Sequence, residues 1–373
     1  MPLYRGVNME RNGHEMDSVK QSGNLLGLNL AELEDFAVSY GQPRYRGRQL
    51  YHGIYARRVR DFGGFTDLNR EFRESLSSLH QITYPEVQRE FRSHDGSVRY
   101  LFRVGDGNSI ETVSMPEENR TTLCLSSQVG CALDCRFCFT ALLGGKRNLT
   151  AGEMIGQVLA VAAAESLART ARLNLVFMGM GEPLLNLPQV LKAVKILADS
   201  KGVGVALRRI TVSTVGITPR IEELAREPRR PKLALSLNAS SEEQRSALMP
   251  INKKYPLAEL LRVCRAYPLR PWERLTFEYV LLEGCNDSDA DARRAADLLR
   301  GLRAKVNLIP YNSGPELPYR SPPFERVLAF QQILTDHRIP AFIRLSRGQD
   351  IRAACGQLSL EGLRQSALPA SAS

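Results

Sequence analysis

Between Leu28 and His80 the apolar positions recur with a helical period. In "LNLAELEDFAVSYG", Leu30, Leu33, Phe36 and Ala37 fall on one face and Gly41 marks a stop. "PRYRGRQLYHGIYARRVRDF" puts Leu50, Ile54 and Tyr55 at core spacing, and "NREFRESLSSL" completes a small helical domain over 24–85. Residues 97–115 switch to alternation around Gly105-Asp106-Gly107, which predicts a β-hairpin within a linking region at 86–118. From 119 to 358 apolar runs alternate with helical patterns. The strands are expected at 121–126, 174–178, 208–213, 232–237, 274–282, 305–310 and 341–345. The helices are expected at 151–170, 187–200, 216–226, 256–267, 288–302 and 323–337. Thr150 and Glu153 form a capping-box pattern at the start of the first of these helices. Strand followed by helix, repeated, predicts an α/β fold with a parallel sheet and right-handed crossovers. Six units are too few for an eightfold barrel, so a partial (βα)6 barrel is expected, with its chemistry at the C-terminal ends of the strands. Residues 1–23 are polar and aperiodic, and 359–373 end in "SALPASAS". These read as a disordered leader and a flexible tail.

Composition changes this picture little. At 373 residues, 43% hydrophobic and 24% charged, the chain is of ordinary globular type. No run is long and apolar enough for a membrane span, and the N-terminus lacks the apolar core of a secretory signal. Charge adds more: 50 Lys and Arg against 40 Asp and Glu leave a net +10, which favours a polyanionic partner such as RNA or DNA. The helical domain carries Arg44, Arg46, Arg48, Arg57, Arg58 and Arg60, interleaved with Tyr45, Tyr51 and Tyr55. This set fits a solvated cationic face and a phosphate-contacting patch equally well. The seven cysteines are odd in number and three are bunched, which argues against a disulfide framework and for a reducing, cytoplasmic setting.

The bunched three, Cys131, Cys135 and Cys138 in "CALDCRFC", carry the strongest chemical signal. A structural zinc site closes with four ligands, and iron–sulfur clusters are normally held by four thiolates. Three thiolates leave one iron open to a small molecule. The run follows the first barrel strand, at the catalytic end. A second constellation, "FMGMGEPL", follows the apolar strand "LNLVF". Gly179 and Gly181 permit close backbone approach, and Glu182-Pro183 sets a carboxylate at a rigid turn. Such a loop can present carbonyls and a carboxylate to an ammonium group, and it also reads as a plain strand-to-helix turn.

With both constellations in place, the chain resembles the RlmN/Cfr-type family of radical S-adenosylmethionine (SAM) RNA adenine methyltransferases. The resemblance runs from Leu28 to Leu358. It rests on "ETVSMPEENRTTLCLSSQVGCALDCRFC", "RNLT", "VFMGMGEPL", "RRITVSTVGI", "LALSLNA", "LMPINKKYPL", "FEYVLLEGCNDS", "VNLIPYN" and "SRGQDIRAACGQL". It implies that the helical domain is an accessory RNA-binding domain. It also implies that Cys131, Cys135 and Cys138 hold a 4Fe-4S cluster whose open iron takes SAM. Gly181, Glu182, Ser213, Ser236, Leu237, Asn238 and Asn312 match the SAM-contacting positions. Cys355, in "ACGQL", matches the cysteine that becomes S-methylated by one SAM, while a second SAM is cleaved reductively to a 5′-deoxyadenosyl radical. Cys124, in "TTLC", matches the thiol that resolves the adduct through a transient disulfide with Cys355. Glu111 matches the proton acceptor, although strand alternation alone reads it as solvent-facing. Cys264 and Cys285 match no catalytic position and are assigned to packing.

The resemblance implies methylation of an adenine, at carbon 2 in large-subunit rRNA and in tRNA, with a flavodoxin-type electron donor and a monomeric enzyme. Carbon 8 of adenine is the alternative within the family, and a non-catalytic iron–sulfur RNA-binding factor or a zinc protein are alternatives outside it. One segment departs from the family pattern. In "FTALLGGKRNL", Leu142 and Leu143 stand where paired glutamines are usual, and Gly145-Lys146 stands where Phe-Asn is usual.

Overall fold

The computed structural model describes residues 23–358, so the expected leader (all but Gly23) and tail lie outside the described residues. The chain divides into two compact units, one ending at Thr83 and the other beginning at Tyr84. In the first, a short strand β1 (Gly23–Asn24) precedes helices α1 (Leu30–Ser39), α2 (Tyr45–Tyr51) and α3 (Arg70–Leu79), and β2 (His80–Gln81) pairs in parallel with β1. Asn29 caps α1 in a reciprocal capping box with Glu32, and Gly41 turns the chain away at φ +67°. Leu33, Phe36, Leu50, Ile54, Tyr55, Phe72 and Leu76 fill the core. Gly47 lies where α2 crosses α1, because an added Cβ would meet the carbonyl oxygen of Leu33 at 2.3 Å.

The arginines of this unit are partly neutralised. Arg44 pairs with Glu34 and Asp35, Arg48 with Glu34, and Arg57 with Asp67. Tyr51 and Tyr55 are buried, so of the three interleaved tyrosines only Tyr45 is exposed. Spacing alone did not separate core tyrosines from surface ones.

The second unit is built on a ten-stranded sheet. In chain order its elements are β3 (Glu86–Arg92), β4 (Val98–Arg103), β5 (Ser109–Glu117), β6 (Arg120–Cys124), β7 (Gln128–Gly130), β8 (Gly145–Asn148), α4 (Ala151–Ala164), β9 (Leu173–Phe177), α5 (Leu187–Leu197) and β10 (Ile210–Thr214). They continue with α6 (Thr218–Arg226), β11 (Lys232–Ser236), α7 (Glu242–Leu248), α8 (Leu257–Ala266), β12 (Leu275–Leu281), α9 (Asp289–Leu299), β13 (Ala304–Pro310), α10 (Phe324–Asp336) and β14 (Ala341–Ile343). The strand order is β14-β13-β12-β11-β10-β9-β6-β5-β4-β3. Within this sheet every pair from β6 to β14 is parallel, and β7 and β8 pair antiparallel in a separate two-stranded sheet. This is the expected partial barrel, with the N-terminal helical unit before it. The capping box of Thr150 and Glu153 opens α4 as expected.

The hairpin at 97–115 forms as β4 and β5, and β5 pairs antiparallel with β6 over five residue pairs. The hairpin and β3 therefore extend the barrel sheet. The mixed polar pattern of "EVQREFR" hid β3 from a periodicity reading, since both its faces are partly exposed.

After β14 the chain crosses back. Arg347 donates to the carbonyls of Pro116 (2.6 Å) and Asp95 (2.5 Å), and the Gly348 N–H donates to Asp95 (2.9 Å). This return segment joins one edge of the sheet to the turn between β3 and β4 at the other, and it carries residues 344–358 over the strand ends. Among the described residues, no helix is long and apolar enough to cross a membrane.

Candidate functional site

At the C-terminal ends of the parallel strands lies a cavity of about 160 Å³. Cys131, Cys135 and Cys138 line it, on the loop that follows β7. The local chain is shaped for this. Cys131 N–H donates to the Gly144 carbonyl (3.0 Å), and the Cys138 N–H donates to the Cys135 carbonyl (3.0 Å). Gly130 and Gly144 both have positive φ, and a Cβ on Gly130 would lie 1.9 Å from the Gly144 oxygen. Cys135 and Cys138 pack against an apolar cluster that includes Phe137, Phe139, Met249, Leu282 and Tyr311. Burial pushes the Cys131 thiol up to about 12, with the charges of Cys138 and Glu182 adding to it. Burial also raises Cys135 and Cys138, and for Cys135 the neighbouring Cys138 and Cys131 raise it further. Three thiols thus face one cavity, each disfavouring an isolated thiolate. A cationic group that took all three as ligands would remove that penalty. Among the described residues, no three His, Cys, Asp or Glu side chains close around a single ion. The donor set, three soft sulfurs on one loop, fits an iron–sulfur cluster with one iron left open, while the fourth cysteine on the cavity wall, Cys355, comes from a distant segment of the chain.

Opposite the cysteines, the turn after β9 brings Gly179, Gly181 and Glu182 to the wall. Gly181 has φ +96°, and a Cβ there would lie 2.5 Å from Gln128 Cβ. Gln128 accepts a hydrogen bond from the Glu182 N–H at 2.8 Å, which pins the turn against β7. The Glu182 carboxylate is buried and accepts from the N–H groups of Leu184 (3.0 Å) and Val215 (2.9 Å). Burial outweighs these bonds and raises its pKa to about 7.

Ser213, Ser236, Asn238 and Asn312 complete the wall, and Leu237 does not reach it. Leu237 is wholly buried and contributes its backbone, the N–H donating to the Glu278 carbonyl at 3.0 Å. Asn238 sits at φ +54°, with its Oδ1 accepting from the Val280 N–H at 2.9 Å. Asn312 donates to Ser346 Oγ (2.8 Å) and accepts from Gln349 Nε2 (3.1 Å), so it holds the return segment as well as facing the cavity.

That segment delivers Cys355. The Phe139 N–H donates to the Gly356 carbonyl (2.8 Å) and Thr140 Oγ1 donates to the Leu358 carbonyl (2.7 Å), immediately after Cys138. Cys355 is exposed as a residue, yet its thiol faces the cavity, where burial pushes it up to about 11 and the charges of Glu278 and Cys138 add to the effect. Cys124, at the end of β6, is buried, and its thiol is raised by burial and by the charge of Cys355. Both are free thiols in this structure.

Glu111 is brought elsewhere. Strand alternation reads it as solvent-facing, but it is completely buried, ion-paired with Arg99, and not on the cavity wall. The reason is that β5 is an interior strand of the sheet, and Arg99 of β4 turns inward with it, its guanidinium 4.0 Å from the Phe91 ring centre. Of the two cysteines assigned to packing, Cys264 is buried in α8 and Cys285 is exposed.

The sequence reading missed Glu278, Tyr311 and Thr140 on the wall. Glu278 is buried and accepts from Asn307 Nδ2 at 2.9 Å. A single carboxylate inside the apolar strand "LTFEYVL" was a usable signal.

Comparison with known proteins agrees with this geometry. Residues 125–296 match the Radical SAM superfamily, and residues 23–82 match the ribosomal RNA large subunit methyltransferase N-terminal domain. The chain is 54% identical to a probable dual-specificity RNA methyltransferase RlmN from Koribacter versatilis, over 85% of this chain and 96% of that protein. It is 47% identical to the dual-specificity RNA methyltransferase RlmN from Syntrophobacter fumaroxidans, over 90% of this chain and 97% of that one. A crystal structure of a radical SAM methyltransferase from Sphaerobacter thermophilus superposes with a TM-score of 0.86 at 48% identity, covering 90% of this chain and 98% of that chain.

Proposed function

The chain belongs to the RlmN family of radical SAM RNA methyltransferases, and on that premise we propose that it methylates carbon 2 of an adenine in large-subunit rRNA and in tRNA by way of a methyl group carried on Cys355. The observation that carries this reading is the convergence of Cys355 with Cys131, Cys135 and Cys138 on one cavity. The three bunched cysteines hold the 4Fe-4S cluster, which with SAM supplies a 5′-deoxyadenosyl radical when both are bound. Gly181, Glu182, Ser213, Ser236, Asn238 and Asn312 bind and orient SAM, and Leu237 acts through its backbone. The Glu182 carboxylate suits the ammonium of the methionine moiety, since bringing a cation beside it would restore the ionised form that burial disfavours.

A carrier thiol is chemically apt. Carbon 2 of adenine is an electron-poor amidine carbon without a useful lone pair, so one difficult transfer is divided into easier steps on Cys355. Two SAM molecules serve each turnover, one for the methyl on Cys355 and one for the radical. Cys124 then attacks the sulfur of Cys355 in the methylene-linked adenine adduct. The bond between that sulfur and the methylene breaks, the carbon keeps the electron pair and takes a proton to become the methyl group, and the transient Cys124–Cys355 disulfide is returned to thiols by an external thiol reductant. What supports this pairing is that Cys355 lies within electrostatic reach of the Cys124 thiol. Glu111 serves as proton acceptor. Its burial and its pairing with Arg99 call for the hairpin to open toward the substrate for that step.

The target base leaves its stack to reach a buried site, so a single-stranded or flipped adenosine is the substrate. We assign RNA docking to the helical unit and chemistry to the barrel, a reading supported by the match of residues 23–82 to the ribosomal RNA large subunit methyltransferase N-terminal domain. We further infer a flavodoxin-type electron donor, a monomeric enzyme and a cytoplasmic setting. Mass spectrometry of adenosine from rRNA and tRNA of a strain with and without the gene tests the reading. It predicts 2-methyladenosine in both RNAs only when the gene is present.

A further inference from the structure

Arg245, on α7, is the largest fully buried side chain among the described residues, with no exposed surface. Its hydrogen bonds run to three carbonyls and one amide. Nη2 donates to Val215 O (2.5 Å) and Ser236 O (3.0 Å), Nε donates to Leu237 O (3.3 Å), and Nη1 donates to Asn252 Oδ1 (2.7 Å). Asn252 is fixed in turn by donating to Glu242 (2.7 Å) and Ser246 Oγ (2.8 Å). Val215 follows β10 and the Ser236–Leu237 pair ends β11, so one guanidinium ties together the two strand ends that present Ser213, Ser236 and Asn238 to the cavity. The Val215 N–H on the same turn donates to Glu182.

A guanidinium withdrawn from water costs several kcal/mol unless an anion compensates it. Arg245 forms no ion pair with any described carboxylate, and its helix meets the cysteine loop: the Arg136 N–H, next to Cys135, donates to the Leu248 carbonyl at 2.9 Å, and Cys135 packs against the apolar cluster that contains Leu248 and Met249. A cluster held by Cys131, Cys135 and Cys138 would gather the negative charge of three thiolates on the loop that this helix meets. Reduction adds one more electron, and cluster potentials follow local net charge, hydrogen bonding and exposure.

We propose that Arg245 is a positioning residue with an electrostatic role: it sets the spacing of the β10 and β11 ends around the cofactor and raises the reduction potential of the cluster held by Cys131, Cys135 and Cys138. This rests on the cluster reading above. The test uses full-length, anaerobically reconstituted enzyme as wild type, Arg245→Gln and Arg245→Lys. A redox titration is followed by the electron paramagnetic resonance of the reduced cluster, and SAM affinity is measured by equilibrium binding. Arg245→Gln shifts the midpoint to more negative potential and weakens SAM binding by about tenfold, the usual scale for a residue that orients ligands from behind. Arg245→Lys keeps the charge and so restores the midpoint, while recovering SAM affinity only in part. A Gln midpoint equal to wild type overturns the proposal. So does loss of cluster and fold in both variants, which would make Arg245 a structural tie alone. Wild-type protein that binds no cluster would instead defeat the functional reading itself.

Discussion

Ser93 Oγ donates to Asp350 Oδ1 at 2.6 Å across 257 residues of chain, and the neighbouring His94 N–H donates to the same carboxylate at 3.2 Å. Ser93 lies in the turn between β3 and β4, at one end of the sheet order, and Asp350 follows β14 at the other. Cys355 comes five residues after Asp350, so the contact that spans the sheet ends also sets where the Cys355 thiol sits.

Asp350→Ala should therefore act on catalysis more than on stability. The lost bonds are exposed and contribute little to stability. Misplacing Cys355 by an ångström can cost on the order of a hundredfold in rate. The check is a thermal melt alongside the methylated fraction of the Cys355 peptide. A near wild-type melt with a strongly reduced methylated fraction is expected.

Gly181→Ala should disrupt both fold and site. The residue combines φ +96° with a Cβ position 2.5 Å from Gln128 Cβ, and Gln128 positions the Glu182 backbone. A strained backbone of this kind costs roughly 1–3 kcal/mol before the clash is counted. Denaturant unfolding and SAM binding should both show the loss.

The cluster-free protein should lose stability as pH rises through the range set by Glu182. Its folded pKa, about 7, lies above the ordinary 4.5 because of burial, so the folded state holds a proton that the unfolded state has released. Stability is fully present below about 4.5 and declines up to about 7, by on the order of 3 kcal/mol. In Glu182→Gln that slope should vanish from the difference between paired denaturation curves at pH 5 and pH 7.5.

Cys124→Ala should leave methylation of Cys355 intact and block release of the product. The expected signature is a protein–RNA conjugate, seen as a shifted band in denaturing gels that ribonuclease collapses. Free methylated RNA at the wild-type rate would remove Cys124 from the resolving role.

The features legible in the sequence were those written locally. The strand-and-helix alternation fixed the partial barrel, because each unit has its own period. The run Cys131–Cys138 and the turn at Gly181-Glu182 were visible because their spacing is their chemistry. What stayed hidden depends on contacts between distant segments. Glu111 sits on an alternating strand that looked half-solvated, and only the pairing of β5 with β6 and the inward turn of Arg99 bury it. Arg245 lies in the polar stretch "SSEEQRSAL", where every local cue says surface. The tie between Asn312 and Ser346 required β13 and the return segment to meet.

The most direct test of the central claim follows the methyl hydrogens. Reduced, reconstituted enzyme is given RNA and SAM bearing a trideuterated methyl group, and both products are analysed by mass spectrometry. If the methyl passes through Cys355 and loses a hydrogen there to the radical, methyladenosine carries two deuteriums and 5′-deoxyadenosine carries one. Methyladenosine retaining all three, with unlabelled 5′-deoxyadenosine, would contradict the account.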